Sequence, residues 1–359
     1  MSLRWMEGFE TLGTTIGAAG SADVAAGMLR KYGDLKGVSS TAHTLDNPEI
    51  ATGRNGGYSL RVKSSSWQNF SHSLGSGNTP TNDTWIIGMA TKLPSFPDDE
   101  MILIVGRNWG NFNLRLSSTG QIAAGAGYST ILGQTTDPAL STDNWHYIEV
   151  KVVVHDTAGS YEIRVDGVTV LSDTNVDTRG GDEDSEIVQF KPQVVDQELD
   201  DIYICDIDGT TNNDFLGRVV IEGIFPNADG DASDWSPASG TDNYAMVDDT
   251  ATDDDTSYVE DNTEGAEDLY GYADLSTITT EPILGLQVNT DVRMNEFPGD
   301  IDLHQPVKSG STTSDGEATN IAMDAYEVAS RILETDPDTG SAWTASGING
   351  AQFGIKVGT

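Results

Sequence analysis

Short apolar runs recur along the first two thirds of the chain, many of them alternating with polar residues. Clusters of Gly, Ser, Thr, Asn and Asp separate these runs. Alternation with a period of two is typical of strands that bury one face, and closely spaced turn signals are typical of sandwiches and barrels. The pattern therefore predicts a mainly β protein, with strands at GYSLRVKS, TWIIGMATKL, MILIVGR, FNLRLSS, WHYIEVKVVV and DDIYICDI.

One tight hairpin is predicted at YEIRVDGVTVL, residues 161–171. Asp166-Gly167 separates two alternating apolar runs there. Asp-Gly is a strong signal for a two-residue hairpin turn, because both turn positions require a positive φ.

Two segments carry helical signals. The first, residues 21–35, begins at Ser21 or Asp23 as N-cap and ends at Gly33. The second, residues 318–337, has apolar positions that fit helical spacing, although its alternation IAMDAYEVA fits a strand as well.

The texture of the chain changes after residue 225, where an Asp-, Gly- and Ser-rich stretch is followed by the acidic run VDDTATDDDTSYVEDN. The chain has 359 residues, and single cores rarely grow beyond about 250. We therefore predict a β-sandwich domain over residues 1–225 and a second, smaller β-rich module with one helix over residues 226–359.

Charge excludes several partners. The chain carries 57 Asp and Glu against 19 Lys and Arg, for a formal net charge of −38. Such a surface repels phosphates, so no nucleic acid and no anionic membrane surface is expected as a partner.

No apolar run approaches the roughly 20 residues of a membrane span, and MSLRWMEGFETLG lacks the apolar core of a signal peptide. The single cysteine, Cys205, excludes an intrachain disulfide.

The stretch ELDDIYICDIDGTT, residues 198–211, holds four Asp residues that could bind a metal, perform catalysis or end a strand. Asp206 and Asp208 are interpreted as the solvated end of a strand, with an Asx-turn into Gly209. A retaining sandwich glycosidase needs two carboxylates about 5–5.5 Å apart on one strand face. The E-x-D-x-E pattern that would supply them is absent, as are G-x-S-x-G and a recognisable Ser/His/Asp set. The chain is therefore predicted not to be an enzyme.

A calcium loop is a minority hypothesis. Asn227, Asp229 and Asp231 have the first three ligand spacings of an EF-hand, but Ala232 and Ala238 replace its Gly and Glu. The EF-hand is rejected, and a looser structural calcium site at these three residues stays open. No other cofactor is expected.

Four segments resemble the concanavalin A-like, laminin-G-like jelly roll, here in the form found in virion proteins of tailed bacteriophages. They are WMEGFE, GYSLRV, NWHYIEVKVVV with GSYEIRVDGVTVLS, and LDDIYICD, and they extend over about residues 3–223. The resemblance implies a two-sheet sandwich with Trp145 at the centre of its core and Asp166-Gly167 at the hairpin. Asp200 or Asp201 is expected to anchor the opening EGFE segment through its backbone N–H groups.

Parts of residues 215–359 also resemble uncharacterised structural proteins of tailed phages. This implies a non-enzymatic virion protein, made in the host cytoplasm and exposed as a capsid decoration, spike or tail fibre component. Such a protein is expected to form a homo-oligomer and to attach to other virion proteins, such as those of the capsid or the tail.

The alternative hypothesis is a carbohydrate-binding module that recognises host-surface glycans. The candidate residues are Arg107, Asn108, Trp109 and Asn111 on one predicted loop, with Trp67 on another. The opposing interpretation is that Trp67 and Trp109 are buried in the core. Burial of Trp67 and Trp109 would remove the best candidates.

Overall fold

A computed structural model describes residues 1–32, 48–63, 69–73, 83–106, 111–180, 186–295, 302–321 and 325–358. The chain divides into two compact units. The first comprises Met1–Glu10 and Thr14–Ile221, and the second Thr11–Gly13 and Glu222–Thr359. The division at residue 221 lies close to the predicted boundary at 225.

Fourteen strands and one α-helix are described in the first unit, with a short 3-10 helix at Ala18–Gly20. Another 3-10 helix, Glu10–Leu12, begins at the last residue before the segment Thr11–Gly13 that is assigned to the second unit. In chain order these elements are β1 (Leu3–Glu7), α1 (Ser21–Tyr32), β2 (Glu49–Thr52), β3 (Tyr58–Arg61), β4 (Phe70–Ser73), β5 (Thr84–Lys92), β6 (Glu100–Val105), β7 (Phe112–Leu116), β8 (Ile122–Ala126), β9 (Thr130–Gln134), β10 (Trp145–Val153), β11 (Gly159–Val165), β12 (Val168–Val176), β13 (Ile187–Phe190) and β14 (Glu198–Cys205).

These strands form two antiparallel sheets packed as a concanavalin A-like sandwich. The eight-stranded sheet, called the large sheet, has the order β12-β11-β10-β5-β14-β3-β2, with β1 also paired to β14. The six-stranded sheet, called the small sheet, has the order β4-β13-β6-β7-β8-β9. The predicted mainly β class and two-sheet jelly roll are confirmed.

Aromatic side chains bridge the two sheets. The rings of Phe112 and Tyr161 are 5.6 Å apart, and those of Trp5 and Phe190 are 6.1 Å apart. Trp85 is fully buried on β5. The prediction that Trp145 forms the centre of the core is wrong, because Trp145 is only half-buried at the start of β10.

The hairpin at Asp166-Gly167 is confirmed. β11 and β12 pair in antiparallel fashion, and Val165 lies opposite Val168 across the two turn residues. Asp166 has φ 51° and Gly167 has φ 81°, as a type I′ turn requires.

The predicted N-terminal helix is confirmed as α1, with Asp23 in its first turn and Arg30 and Lys31 in its last. Its predicted end at Gly33 lies outside the described residues. Val24, Met28 and Tyr32, spaced four residues apart, are its buried side chains. α1 lies against β2 and β4, which are edge strands of the large and small sheets. The helix therefore covers one side of the sandwich.

Eleven strands and a short helix are described in the second unit, with a 3-10 helix at Tyr244–Met246. They are β15 (Pro226–Ser233), β16 (Ser236–Pro237), β17 (Val259–Glu260), β18 (Glu267–Tyr272), β19 (Leu286–Val292), β20 (Asp302–His304), β21 (Val307–Ser309), β22 (Thr312–Ser314), β23 (Thr319–Asn320), β24 (Glu327–Leu333), α2 (Ala345–Asn349) and β25 (Gln352–Val357). β18 and β25 are central in its main sheet, and Val307, Trp343 and Phe353 belong to its core.

The helix predicted over residues 318–337 is wrong. That stretch contains β23 and β24, and β24 pairs with β19 along its whole length. Cross-strand pairing outweighed a weak helical spacing, because the same residues also alternate. The helix of this unit is α2, where the Thr344 hydroxyl caps the N–H of Gly347. In the described part of the chain, none of the helices is long and apolar enough to span a membrane.

Candidate functional site

The outer face of the large sheet, which points away from the small sheet, carries a dense set of polar side chains. Strand register places Glu149 and Tyr203 on opposite sides of Gly88, so all three lie on this face. A Cβ atom on Gly88 would lie 2.1 Å from the Tyr203 ring. Glycine at this position therefore makes room for the tyrosine.

Residues 214–221, called the covering segment, run across this outer face. Its backbone N–H groups donate to side chains of the sheet: Leu216 to the Tyr203 hydroxyl at 3.1 Å, and Gly217 to Glu149 Oε1 at 2.8 Å. Two side chains add contacts at the start of the segment. Asp214 pairs with Lys151 at 3.1 Å, and the Phe215 ring lies 3.9 Å from the guanidinium carbon of Arg164.

Glu149 joins the sheet to the covering segment. It is buried on β10, and its Oε1 accepts both the Gly217 N–H and the Tyr203 hydroxyl, the latter at 2.6 Å. Burial raises the pKa of Tyr203, so this hydroxyl keeps its proton and acts as a donor. The second oxygen, Oε2, has no hydrogen-bond partner among the described residues.

Asp201 fixes the end of the covering segment. Its Oδ1 accepts the N–H of Ile221 at 2.7 Å, and its Oδ2 accepts the guanidinium of Arg54 at 2.7 Å. Arg54 also donates to the carbonyl of Val219. The side chains of Arg54 and Asp201 are 8% and 3% exposed, so this is a buried ion pair.

A β-bulge explains how two consecutive aspartates serve the same region. The pairing of β14 with β5 shifts between Asp200 and Tyr203, and Asp201 has φ 48°. Asp200 accepts the backbone N–H of Arg54 at 2.8 Å, and Asp201 accepts the guanidinium of the same residue. Without the extra residue, successive side chains would point to opposite faces.

Burial raises the pKa values of the carboxyl groups around Asp201. The pKa of Asp200 is raised by burial first and then by the charge of Asp201. The pKa of Glu10 rises to about 9, mainly through burial and then through the charge of Asp200. Burial also raises the pKa of Asp201, and its hydrogen bond from Ile221 and the charge of Arg54 oppose that rise.

The prediction for Asp200 and Asp201 was right about anchoring and wrong about the segment anchored. They hold Arg54 and Ile221, whereas the opening EGFE segment is fixed by its own Glu7, which accepts the Phe9 N–H at 2.7 Å. The Asx-turn after the strand is confirmed, since Asp206 accepts the N–H of Asp208 at 2.9 Å. The expected solvation of this strand end is wrong for Asp206, which is fully buried and pairs with Arg4.

Beside the covering segment, one row of the outer face stays partly exposed. Arg61 and Lys92 flank Glu198 across β3, β14 and β5, and donate to its two carboxylate oxygens at 2.7 and 3.1 Å. Trp145 continues the row on β10, with the Lys92 ammonium 5.9 Å from its ring centre. The row combines a half-buried indole with charged groups already arranged by the sheet.

Ser141, His146 and Asp166 come together in an arrangement that the sequence did not reveal. Ser141 Oγ lies 2.8 Å from His146 Nε2, and His146 Nδ1 lies 2.8 Å from Asp166 Oδ2. These distances resemble a catalytic triad. However, His146 Nε2 also accepts the backbone N–H of Ser141 at 3.0 Å, so its lone pair is already engaged. We therefore interpret these hydrogen bonds as stabilising the turn before β10.

Asn227 and Asp229, with Asp231, lie on β15 rather than in a loop. The carboxylate of Asp229 accepts the Tyr244 N–H at 2.8 Å, and Asp231 pairs with Lys308. Within the described ranges, no group of three or more His, Cys, Asp or Glu side chains is arranged to hold a metal ion. The extended strand thus replaces the loop on which the calcium hypothesis depended.

The earlier glycan candidates mostly lie outside the described residues, namely Trp67, Arg107, Asn108 and Trp109. Asn111 is described and is fully buried, so it does not present a surface for a glycan.

Sequence reasoning missed Glu149, Arg54 and Glu10. The sequence does contain a sign of the role of Glu149, because this glutamate interrupts the apolar run YIEVKVVV on a strand that is covered on both faces. Arg54 and Glu10 have none, since their partners lie far away along the chain.

No protein-family model matches the chain, and no curated protein matches it either. Among solved structures, the endo-β-1,4-glucuronan lyase of Trichoderma reesei aligns at 13% identity and TM-score 0.35, over 48% of this chain and 92% of the lyase. Domain 4 of a Geobacillus stearothermophilus arabinanase, in complex with arabinotriose, aligns at 13% identity and TM-score 0.33, over 57% and 92% of the respective chains.

A third similar structure is the CBM40 of the Ruminococcus gnavus IT-sialidase, bound to α2,3 sialyllactose. It aligns at 9% identity and TM-score 0.31, over 41% of this chain and 88% of that one.

Asp201→Ala is expected to destabilise the sandwich strongly, by about 3–5 kcal/mol, because it leaves the buried Arg54 charge unpaired. The Ile221 amide should then exchange with deuterium faster. Urea unfolding and hydrogen exchange measure both effects. Asp214→Ala is the matched control, because the exposed Asp214–Lys151 pair contributes only about 0–1 kcal/mol. Equal losses in the two variants would contradict a buried anchor.

The raised pKa of Glu10 predicts a pH dependence. Between the unfolded pKa of about 4.3 and the folded pKa of about 9, the folded protein keeps a proton that the unfolded chain has lost. Raising the pH through this window therefore removes stability. Glu10→Gln should flatten the fall in unfolding free energy, measured by urea titration at several pH values. Glu100→Gln, at an exposed strand start, should leave the wild-type slope unchanged, and an equally steep fall in Glu10→Gln would refute the assignment.

Proposed function

We propose that the chain is a non-enzymatic structural protein exposed on a tailed-phage particle. In this role it is a capsid decoration, spike or fibre component that forms a homo-oligomer. The observation that carries the proposal is the use made of the buried carboxylates. Glu149 and Asp201 are bonded to the backbone of the covering segment, whereas a glycoside hydrolase needs its carboxylates beside the substrate.

The phage assignment is supported by the resemblance of WMEGFE, the WHY strand with its Asp-Gly hairpin, and LDDIYICD to virion sandwich domains. The high negative charge also suits a protein displayed in many copies, since it keeps neighbouring copies soluble. The second unit would attach the sandwich to other virion proteins of the capsid or tail.

The test is immunogold labelling of intact phage particles with an antibody raised against the sandwich. We expect gold at regularly repeated positions on the particle, and the chain among the proteins of purified particles by mass spectrometry. A chain found only in the free lysate, and absent from purified particles, would overturn the proposal.

A second candidate function, glycan binding, is favoured by one observation. Trp145 is half-buried on the outer face of the large sheet, in line with Lys92, Glu198 and Arg61. An indole beside fixed charged groups offers a sugar both a stacking surface and hydrogen-bond partners. This row takes the place of the loop residues predicted from sequence.

Trp145→Ala is expected to weaken binding to bacterial surface oligosaccharides about fivefold, since an aromatic contact contributes about 1 kcal/mol. A glycan array followed by calorimetry on its best ligand would measure this. Tyr326→Ala is the control, because Tyr326 is also half-buried beneath a cation, Arg293, in the second unit. Equal binding by wild type and Trp145→Ala would remove this candidate.

A further inference from the structure

Two edge strands lie together on one side of the sandwich. β9 ends the small sheet and β12 ends the large sheet. They are neighbours in space, since Leu171 of β12 lies 3.5 Å from the position of a Cβ atom on Gly133 of β9. In the described registers β9 pairs with β8 and β12 with β11, so each strand has one side without a strand partner.

The opposite side of the sandwich is closed by the chain itself. There, α1 lies against both edge strands, β2 and β4. Ile16 forms a bridge with Ile50, and the N–H of Gly17 donates to the Ile50 carbonyl at 2.9 Å. Among the described residues, no helix or strand lies along β9 and β12 in the way that α1 lies along β2 and β4. The side chains of β9 and β12 are mostly exposed.

This open side is also poor in charge. Charged residues make up 21% of the chain, yet residues 116–136, which include β8 and β9, contain none. β12 contains a single charged residue, Asp173. In a protein with a net charge of −38, such a surface is where a like-charged molecule meets least repulsion.

Large apolar side chains are exposed along the same side. Tyr128 is 62% exposed, Ile131 is 46% exposed and Val168, next to the hairpin turn, is 65% exposed. Single exposed apolar residues are ordinary. Their position beside two open strand edges, in the least charged part of the chain, makes this group different.

The usual protection of an edge strand is incomplete here. Natural edges are blunted by Lys, Pro, bulges or a covering element, and neither β9 nor β12 contains Lys or Pro. Both strands contain a register shift, between Thr169 and Leu171 in β12 and between Ile131 and Gly133 in β9, and the end of β12 is further blunted by Asn175 with φ 60°. Among the described residues, the shift between Thr169 and Leu171 is the one device of this kind within residues 168–172.

We infer that this side, called the uncharged edge and formed by residues 127–134 and 168–172, docks a second copy of the same chain. An antiparallel strand edge is self-complementary about a two-fold axis, which is the symmetry of most dimers. A basic partner would instead be drawn to the acidic surface elsewhere. The inference rests on the homo-oligomer in the proposed function and assigns its interface.

Sedimentation equilibrium of the full chain tests the interface. The wild type is expected to form a dimer or a larger even-numbered assembly that tightens with added salt, because salt screens the repulsion between acidic copies. Ile131→Glu and Val168→Glu should each raise the dissociation constant at least about tenfold, since like charges would face each other across the axis.

The controls place the same charge on equally exposed apolar residues elsewhere. Val195 is 44% exposed and Leu284 is 37% exposed, and Val195→Glu and Leu284→Glu should leave the dissociation constant unchanged. Circular dichroism confirms that each variant is folded. An oligomer that all four variants affect equally would overturn the uncharged edge as interface, while leaving the structural role to the particle-labelling experiment.

Hydrogen exchange of the wild-type protein provides a test without mutation. Amides of β9 and of residues 168–172 should become protected as protein concentration rises, whereas amides of β2 should not change. A wild-type chain that remains monomeric at all concentrations, with no such protection, would also overturn the inference. The particle-labelling result would still decide the proposed function separately.

Discussion

The buried acceptor groups on the outer face of the large sheet are the constraint on which the rest of the first unit depends. Glu149 and Asp201 lose most of their hydration in the fold, and a buried carboxylate is costly unless hydrogen bonds replace the lost water. The N–H groups of Gly217 and Ile221 provide those bonds. The same bonds satisfy a stretch without regular secondary structure, which would otherwise cover a sheet with unpaired donors. Sheet and covering segment therefore depend on each other.

This dependence has a functional side. In an open sandwich the outer sheet face is free for a ligand, but here its central part is already occupied by the chain. What remains accessible is the row from Arg61 to Trp145 beside the covering segment and, on another side of the sandwich, the uncharged edge. The first unit thus combines a covered centre with two peripheral surfaces, one polar and one nearly without charge. The proposed display role would use the two surfaces for different contacts.

Much of the fold could be predicted from local patterns. Alternation located the strands that meet in the sandwich, and Asp166-Gly167 located its tightest hairpin, because turn chemistry is a local property. The helix prediction for residues 318–337 was wrong because it also depended on local spacing. That spacing permits a helix, but pairing with the distant strand β19 makes part of the segment a strand. The site was harder to predict. Arg54 meets Asp201 across 147 positions of sequence, and Trp145, expected in the core, proved to start a strand at the surface. Neither residue type nor spacing carries that information.

The β-bulge at Asp200 and Asp201 has a consequence for how this chain can vary. Leu199, before the bulge, and Ile202 and Ile204, after it, all face the core. Two residues separate Leu199 from Ile202, and in a regular pleat this spacing would put the two side chains on opposite faces. Replacing Asp201 would remove its bonds to Arg54 and Ile221, whereas deleting either aspartate would remove the extra residue of the bulge and restore the regular pleat. Leu199, Ile202 and Ile204 would then still face the core, but one carboxylate would remain where two now bind Arg54. The strand can thus lose a residue at this place without turning its apolar side chains outward.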